Sequence, residues 1–113
     1  MKLIVAYIHE FMAEKVTDAL RAAKVHGVTI APCQGFGDIA EGSSPHYMEE
    51  AAALGFAEKV KIEIVCRDAD TENIVATICE HAHTGHHGDG KIFVSDIGES
   101  IDIRTGAKGE NIL

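Results

Sequence analysis

The sequence predicts an α+β fold of the ferredoxin-like βαββαβ kind, a four-stranded antiparallel sheet with two helices on one face. Three observations predict it. A strand–helix–strand pattern occurs twice, with equivalent strands starting about 57 residues apart, at Lys2 and Lys59. The intervening segments have helical rather than strand periodicity. And 113 residues suffice for one domain but not two.

The run from Lys2 to His9 is almost continuously apolar, the pattern of a buried strand. It reads as that strand rather than a signal peptide, because polar and acidic residues follow at once and no small-residue cleavage site appears. From Phe11 to Lys24, Met12, Val16, Ala19, Leu20 and Ala23 recur at three- and four-residue steps, which predicts an amphipathic helix closed by Gly27. Val28 to Gln34 is a second strand, with Pro32 placing it at an edge or a bulge. Lys59 to Cys66 alternates apolar and charged residues, a half-buried third strand. Asp70 is the expected cap of a helix from about Thr71 to His83, with Ile74, Val75, Ile78, Cys79 and Ala82 inward. Lys91 to Ile97 is the fourth strand. Between the halves, Ser44-Pro45 offers a cap and a first helical position for a short helix that ends near Gly55.

Composition narrows the function. Apolar residues form 46% of the chain and charged residues 25%, as in ordinary globular domains. The core is nevertheless small, which favours association into an oligomer. Ten Lys plus Arg against 18 Asp plus Glu give a formal charge of −8, which disfavours nucleic-acid binding and a polybasic membrane surface. No apolar run is long enough for a membrane span. Cys33, Cys66 and Cys79 are odd in number and lack CxxC spacing, so a reduced, cytoplasmic setting with the cysteines packed in the core is expected.

The most informative stretch is Thr84 to Lys91. Three glycines within six residues let the backbone turn sharply and aim successive amides at one spot, an arrangement that holds phosphate oxygens. Lys91 and Arg104 add positive charge. A plain helix-to-strand turn around Asp89-Gly90 is the competing reading. The GxxxxGK[ST] pattern is absent, which removes that phosphate-binding mechanism.

The stretch TGHHGDGKIFV, residues 84–94, resembles the nucleotide-binding loop of the PII (P-II) signal-transduction proteins. Gly35-Phe36-Gly37, VKIEIV at 60–65 and IRTG at 103–106 agree in order and spacing, so the similarity runs over nearly the whole chain. The resemblance implies a single domain over 1–113, with an effector loop at about 37–57, a phosphate-binding loop at about 84–91 and a C-terminal segment at 98–113. It implies a homotrimer that binds ATP, ADP or AMP in clefts between subunits and docks on a transporter, enzyme or regulator through the long loop. The implied nucleotide contacts are Gly27, Thr29, Gly35, Phe36, Gly37, Glu63, Val65, Gly88, Asp89, Gly90, Lys91 and Arg104. Their chemistry suits a nucleotide, since Thr29 and Glu63 can bond base or ribose, and Lys91 and Arg104 can neutralise phosphate.

Departures from the family pattern refine this expectation. Asp102 stands where the family usually has a basic residue, and its carboxylate would repel a polyphosphate, favouring ADP or AMP over ATP. Ile39 replaces a glutamine that helps hold magnesium and 2-oxoglutarate, and isoleucine cannot ligate magnesium. Lys59 remains at the position that pairs with the oxoglutarate carboxylate. Tyr47 lies ahead of the family's modification position, so nucleotidylation is not expected. These losses leave nitrogen or inorganic carbon as the input; for bicarbonate, Lys59, Arg104 or loop amides are the candidate contacts. His86 occupies a position where the family commonly has lysine, and its protonated form could supply part of that charge.

Four of the seven histidines, His81, His83, His86 and His87, form a sequence cluster. Imidazole ligates zinc and copper, so the alternative from another class is a trimeric metal-binding or metal-tolerance protein. His81 and His83 are two apart and face different ways on a helix, and no structural-zinc spacing is present. His9 reads as a solvated side chain at a strand end. No Ser-His-Asp or Cys-His arrangement has recognisable context, and Glu49-Glu50 reads as a solvated helix face. The sequence therefore predicts a regulator rather than an enzyme, with slow nucleotide hydrolysis as a conceivable side activity.

Overall fold

The structure, a computed structural model, describes residues 1–37 and 56–113. Strand β1 (Lys2–His9) leads through a 3-10 turn (Glu10–Met12) into helix α1 (Ala13–Ala22) and strand β2 (Val28–Gly35). Strand β3 (Ala57–Cys66), helix α2 (Asp68–Ala82) and strand β4 (Gly90–Asp96) repeat the pattern, and a second 3-10 turn (Glu110–Ile112) lies near the C-terminus. The strands pair antiparallel in the order β2-β3-β1-β4. Each half is thus a split βαβ unit with a strand of the other half inserted, the ferredoxin-like arrangement expected from the sequence. The predicted helix within residues 44–54, Ile39, Tyr47 and most of the expected effector loop lie outside the described residues.

Alternation along the two central strands decides which face is covered. Ile4, Ala6 and Ile8 of β1 and Ile62 and Ile64 of β3 pack against Val16 and Leu20 of α1 and Ile74, Ile78 and Ala82 of α2. The opposite face has no helix over it among the described residues. It presents Val5, Tyr7, Lys61, Glu63 and Phe93, with Tyr7 and Phe93 in edge-to-face contact at 6.3 Å. Edge strand β2 contains Pro32; proline has no N–H to donate, and an edge strand tolerates that because one of its sides makes no ladder bonds.

Local chemistry moves both helix boundaries from their predicted positions. Helix α1 ends before Gly27, because Lys24 takes the left-handed conformation (φ 60°). The Val25 N–H then donates to the Leu20 carbonyl and the Lys24 N–H to the Arg21 carbonyl, a Schellman closure in which Val25 also packs onto the core. Helix α2 begins at Asp68 rather than after Asp70; Arg67 is its cap residue, with no side-chain capping bond. Asp68 and Asp70 sit instead in the first turn, where carboxylates complement the positive end of the helix. The cysteines are also not alike: Cys66 is buried, Cys33 is half-buried and Cys79 is exposed. The inward stripe of α2 is narrower than predicted and excludes Cys79.

The C-terminal segment is tied back to the start of β1. The Ile97 N–H donates to the Met1 carbonyl at 3.0 Å, and the terminal ammonium lies 3.0 Å from Asp68. A tight turn at 102–106 is built on Asp102, whose carboxylate accepts from the Thr105 N–H (2.8 Å) and hydroxyl (3.0 Å). These bonds from Thr105 hold the Asp102 carboxyl below the usual carboxylate range.

Candidate functional site

The loop between α2 and β4 is organised around one of its own carboxylates. Asp89 accepts hydrogen bonds from the Thr84 N–H (2.8 Å), the Gly85 N–H (3.1 Å) and the Thr84 hydroxyl. The Thr84 hydroxyl oxygen accepts in turn from the His86 N–H at 3.2 Å. The N–H groups of Thr84 and Gly85 thus converge on one spot, and the Asp89 carboxylate fills it. Burial alone would raise the Asp89 carboxyl, but the hydrogen bonds from Thr84 and Gly85 and the proximity of His9 outweigh it and hold the carboxyl below its ordinary value.

Gly90 fixes where the loop enters the sheet. Its φ is +116°, and a Cβ built there would stand 1.7 Å from the Tyr7 carbonyl oxygen. Only glycine allows β4 to close onto β1 at this point. Lys91 follows, opposite Tyr7 and exposed.

Lys59 joins this loop to the start of β3. Its ammonium donates to the Gly88 carbonyl at 2.7 Å and lies 3.1 Å from His9 Nδ1. His9 is not solvated, as its place at a strand end suggests; it is 3% exposed. Its ring stacks on Phe11 at 4.9 Å, and Nε2 lies 3.5 Å from Asp89 Oδ1. Sequence reasoning missed His9 because its cover comes from a residue two positions later and from a loop 80 positions away. The available signal was a polar residue that ends an apolar run, with an aromatic two positions on.

The implied contact residues fall into two groups within one chain. Gly35, Phe36, Gly37, Lys59 and Gly88 to Lys91 stand where β2 ends and β3 and β4 begin; a Cβ on Gly35 would be 4.0 Å from Lys59 Cγ. Phe36 is 88% exposed. Gly27, Thr29, Glu63 and Val65 lie toward the opposite end of the sheet, with Thr29 and Glu63 directly paired across β2 and β3. Glu63 is held by Lys61 at 2.7 Å on the uncovered face. Arg104 is exposed in the 102–106 turn, which belongs to a segment anchored at the start of β1.

The histidine cluster is dispersed. His81 Nδ1 lies 2.8 Å from the Thr77 carbonyl one helical turn back, and His86 and His87 are exposed in the loop. Among the described residues, no group of three or more His, Cys, Asp or Glu side chains could hold a metal ion.

Comparison with known proteins turns this arrangement into a family assignment. The family model described as "Nitrogen regulatory protein P-II" matches residues 1–107. The chain belongs to the P-II family. It is 40% identical over 113 residues to the nitrogen regulatory protein P-II of Azospirillum brasilense, with both chains covered in full. It is 42% identical over 113 residues to nitrogen regulatory protein P-II 2 of Methanothermobacter thermautotrophicus, covering all of this chain and 97% of that protein. It is 37% identical over 105 residues to the P-II homolog of Arabidopsis thaliana, covering 93% of this chain and 54% of the plant protein. P-II membership makes the chain a signal-transduction regulator, and the P-II relatives are regulatory proteins rather than classical enzymes. No described helix is long and apolar enough to cross a membrane.

Proposed function

We propose that this P-II chain acts in the cytoplasm as a homotrimer that binds an adenine nucleotide between subunits. Its 37–57 loop then engages or releases a partner protein, such as a membrane transporter or an enzyme, in nitrogen or inorganic-carbon regulation. The observation that supports it best is the division of the candidate contacts. Gly88 to Lys91, a backbone turn fixed by Gly90 and followed by an exposed lysine, suit a phosphate chain. Thr29 and Glu63, which can bond base or ribose, lie several residues further along the strands. A nucleotide seated against one subunit's loop would draw its remaining contacts from a neighbour. Control is then a population shift: the nucleotide favours whichever loop state binds it more tightly.

Asp102 bears on which nucleotide is preferred. Its carboxyl stays ionised at neutral pH, because the bonds from Thr105 favour the charged form. It stands two residues from Arg104, so a longer phosphate chain gains less there, and ADP binds at least as tightly as ATP.

Calorimetric titration of AMP, ADP and ATP into the full chain, with and without magnesium, tests the reading. Micromolar ADP binding that weakens by about tenfold or more in Lys91→Ala is the expected result, as for loss of one charge-assisted phosphate contact. Absence of nucleotide binding under every condition would refute the reading. Repeating the titrations with bicarbonate and with 2-oxoglutarate identifies the input: the relevant anion changes nucleotide affinity and the other does not.

A further inference from the structure

The contact between His9 and Lys59 dictates a protonation state. A lysine ammonium has three donors and no acceptor. With Nζ 3.1 Å from His9 Nδ1, that ring nitrogen must present its lone pair, so the ring proton sits on Nε2. Nε2 is the nitrogen that faces Asp89 Oδ1 at 3.5 Å. The neutral Nε2–H tautomer therefore serves both neighbours at once, accepting from Lys59 and directing its N–H toward a carboxylate. A proton on Nδ1 would set two cationic N–H groups head to head.

The surroundings make this arrangement specific. His9 is 3% exposed, so water cannot readily screen the new charge. Among the described residues, the groups that face it include Lys59 from β3, Asp89 and the Gly88 backbone from the loop, and the uncharged ring of Phe11 from the 3-10 turn. Phe11 stacks on the ring at an interplanar angle of 13°, which limits rotation away from Lys59. Lys59 is the mobile partner, since its flexible stem can move the ammonium off both His9 and the Gly88 carbonyl.

We infer that His9 is a proton-sensitive positioning residue, which as neutral imidazole holds the Lys59 ammonium on the Gly88 carbonyl and releases it on gaining a proton at Nδ1. Release frees Lys59 for an anion beside the Gly88–Lys91 turn, and His9 itself becomes positive. Anion affinity at this end of the sheet then rises as pH falls. The consequence for binding rests on the anion-site reading proposed above; the switch between His9 and Lys59 does not.

Two measurements on the full chain separate them. The first follows His9 ring nitrogens and the Lys59 Nζ and Cε signals by NMR in ligand-free protein from pH 5 to 8.5, the range that brackets ordinary imidazole titration. The expected result is an Nε2–H tautomer at high pH and a Lys59 shift with the same midpoint as His9. An Nδ1–H tautomer, a His9 that does not titrate in this range, or a Lys59 signal unmoved while His9 titrates would overturn the inference. In His9→Gln, whose amide oxygen accepts without titrating, Lys59 should be insensitive to pH over the same range; if that variant does not fold, the wild-type titration decides alone. The second measures sulfate binding, a probe that stays dianionic throughout. Wild-type affinity should rise about threefold or more between pH 8 and pH 6 and stay constant in His9→Gln. A coupled Lys59 shift with no sulfate binding at either pH would leave the switch standing and refute the anion-site reading. Sulfate binding that ignores pH would refute the switch and leave the site intact.

Discussion

Asp89 and Asp102 show how much a carboxylate's meaning depends on what points at it. Asp102 stands where a carboxylate would repel a polyphosphate, Asp89 stands inside the expected phosphate-binding loop, and each organises a turn of its own. The sequence makes Asp89 one residue among several in a glycine-rich loop; its partners, the amides of Thr84 and Gly85, become visible only when the loop closes. A depressed carboxyl contributes stability that is present above its unfolded value and lost as pH falls through its folded one. Asp89→Asn should therefore destabilise the protein by about 2 kcal/mol at neutral pH. The difference from wild type should begin to shrink as pH drops below about 4, where the unfolded-state carboxyl takes up a proton, and go on shrinking until the folded carboxyl, which titrates lower, is protonated as well. Urea unfolding of both proteins at pH 7 and pH 3.5 measures this, and a difference that does not change with pH would contradict it. His9 was the least legible residue of all, because Phe11 two positions on is only a weak signal and the linear pattern does not reveal that Asp89 will close over it from 80 positions away.

Elements were read from the sequence better than their ends were. The alternation in Lys59 to Cys66 and the inward stripe of Val16 and Leu20 depend only on strand and helix periods, which local residues set. Boundaries depend on single hydrogen bonds. Lys24 closes α1 ahead of Gly27 because Val25 gains both the Leu20 carbonyl and a place on the core, a balance of tertiary packing against backbone preference. Strand β4 shows the opposite situation, in which one backbone position leaves no choice. With the Tyr7 carbonyl 1.7 Å from where a Cβ would stand, Gly90→Ala must push β4 off β1. The expected cost is about 3 kcal/mol or more, and a fall in Tm of more than about 10 °C. Thermal unfolding checks it; a variant within about 2 °C of wild type would mean that β4 pairs with β1 differently.

At the scale of the whole molecule, one sheet face is left without a helix among the described residues. Tyr7 and Phe93 are in contact there, and Phe93 is 55% exposed. Exposed aromatic side chains on an uncovered sheet face and exposed edge strands in so small a domain call for association with other chains. The separation of Thr29 and Glu63 from the Gly88–Lys91 turn makes the same demand from the side of the ligand. The uncovered face follows from the predicted placement of both helices on one side of the sheet, whereas the separation of the contact residues was not legible, since it is a distance across a folded sheet. Native mass spectrometry of the full chain with excess ADP tests both demands together. The expected species is an assembly of three times the 12.1 kDa chain mass, taking up as many as three nucleotides. A monomer or dimer, or a trimer that takes up no ADP, would contradict a nucleotide-binding trimer.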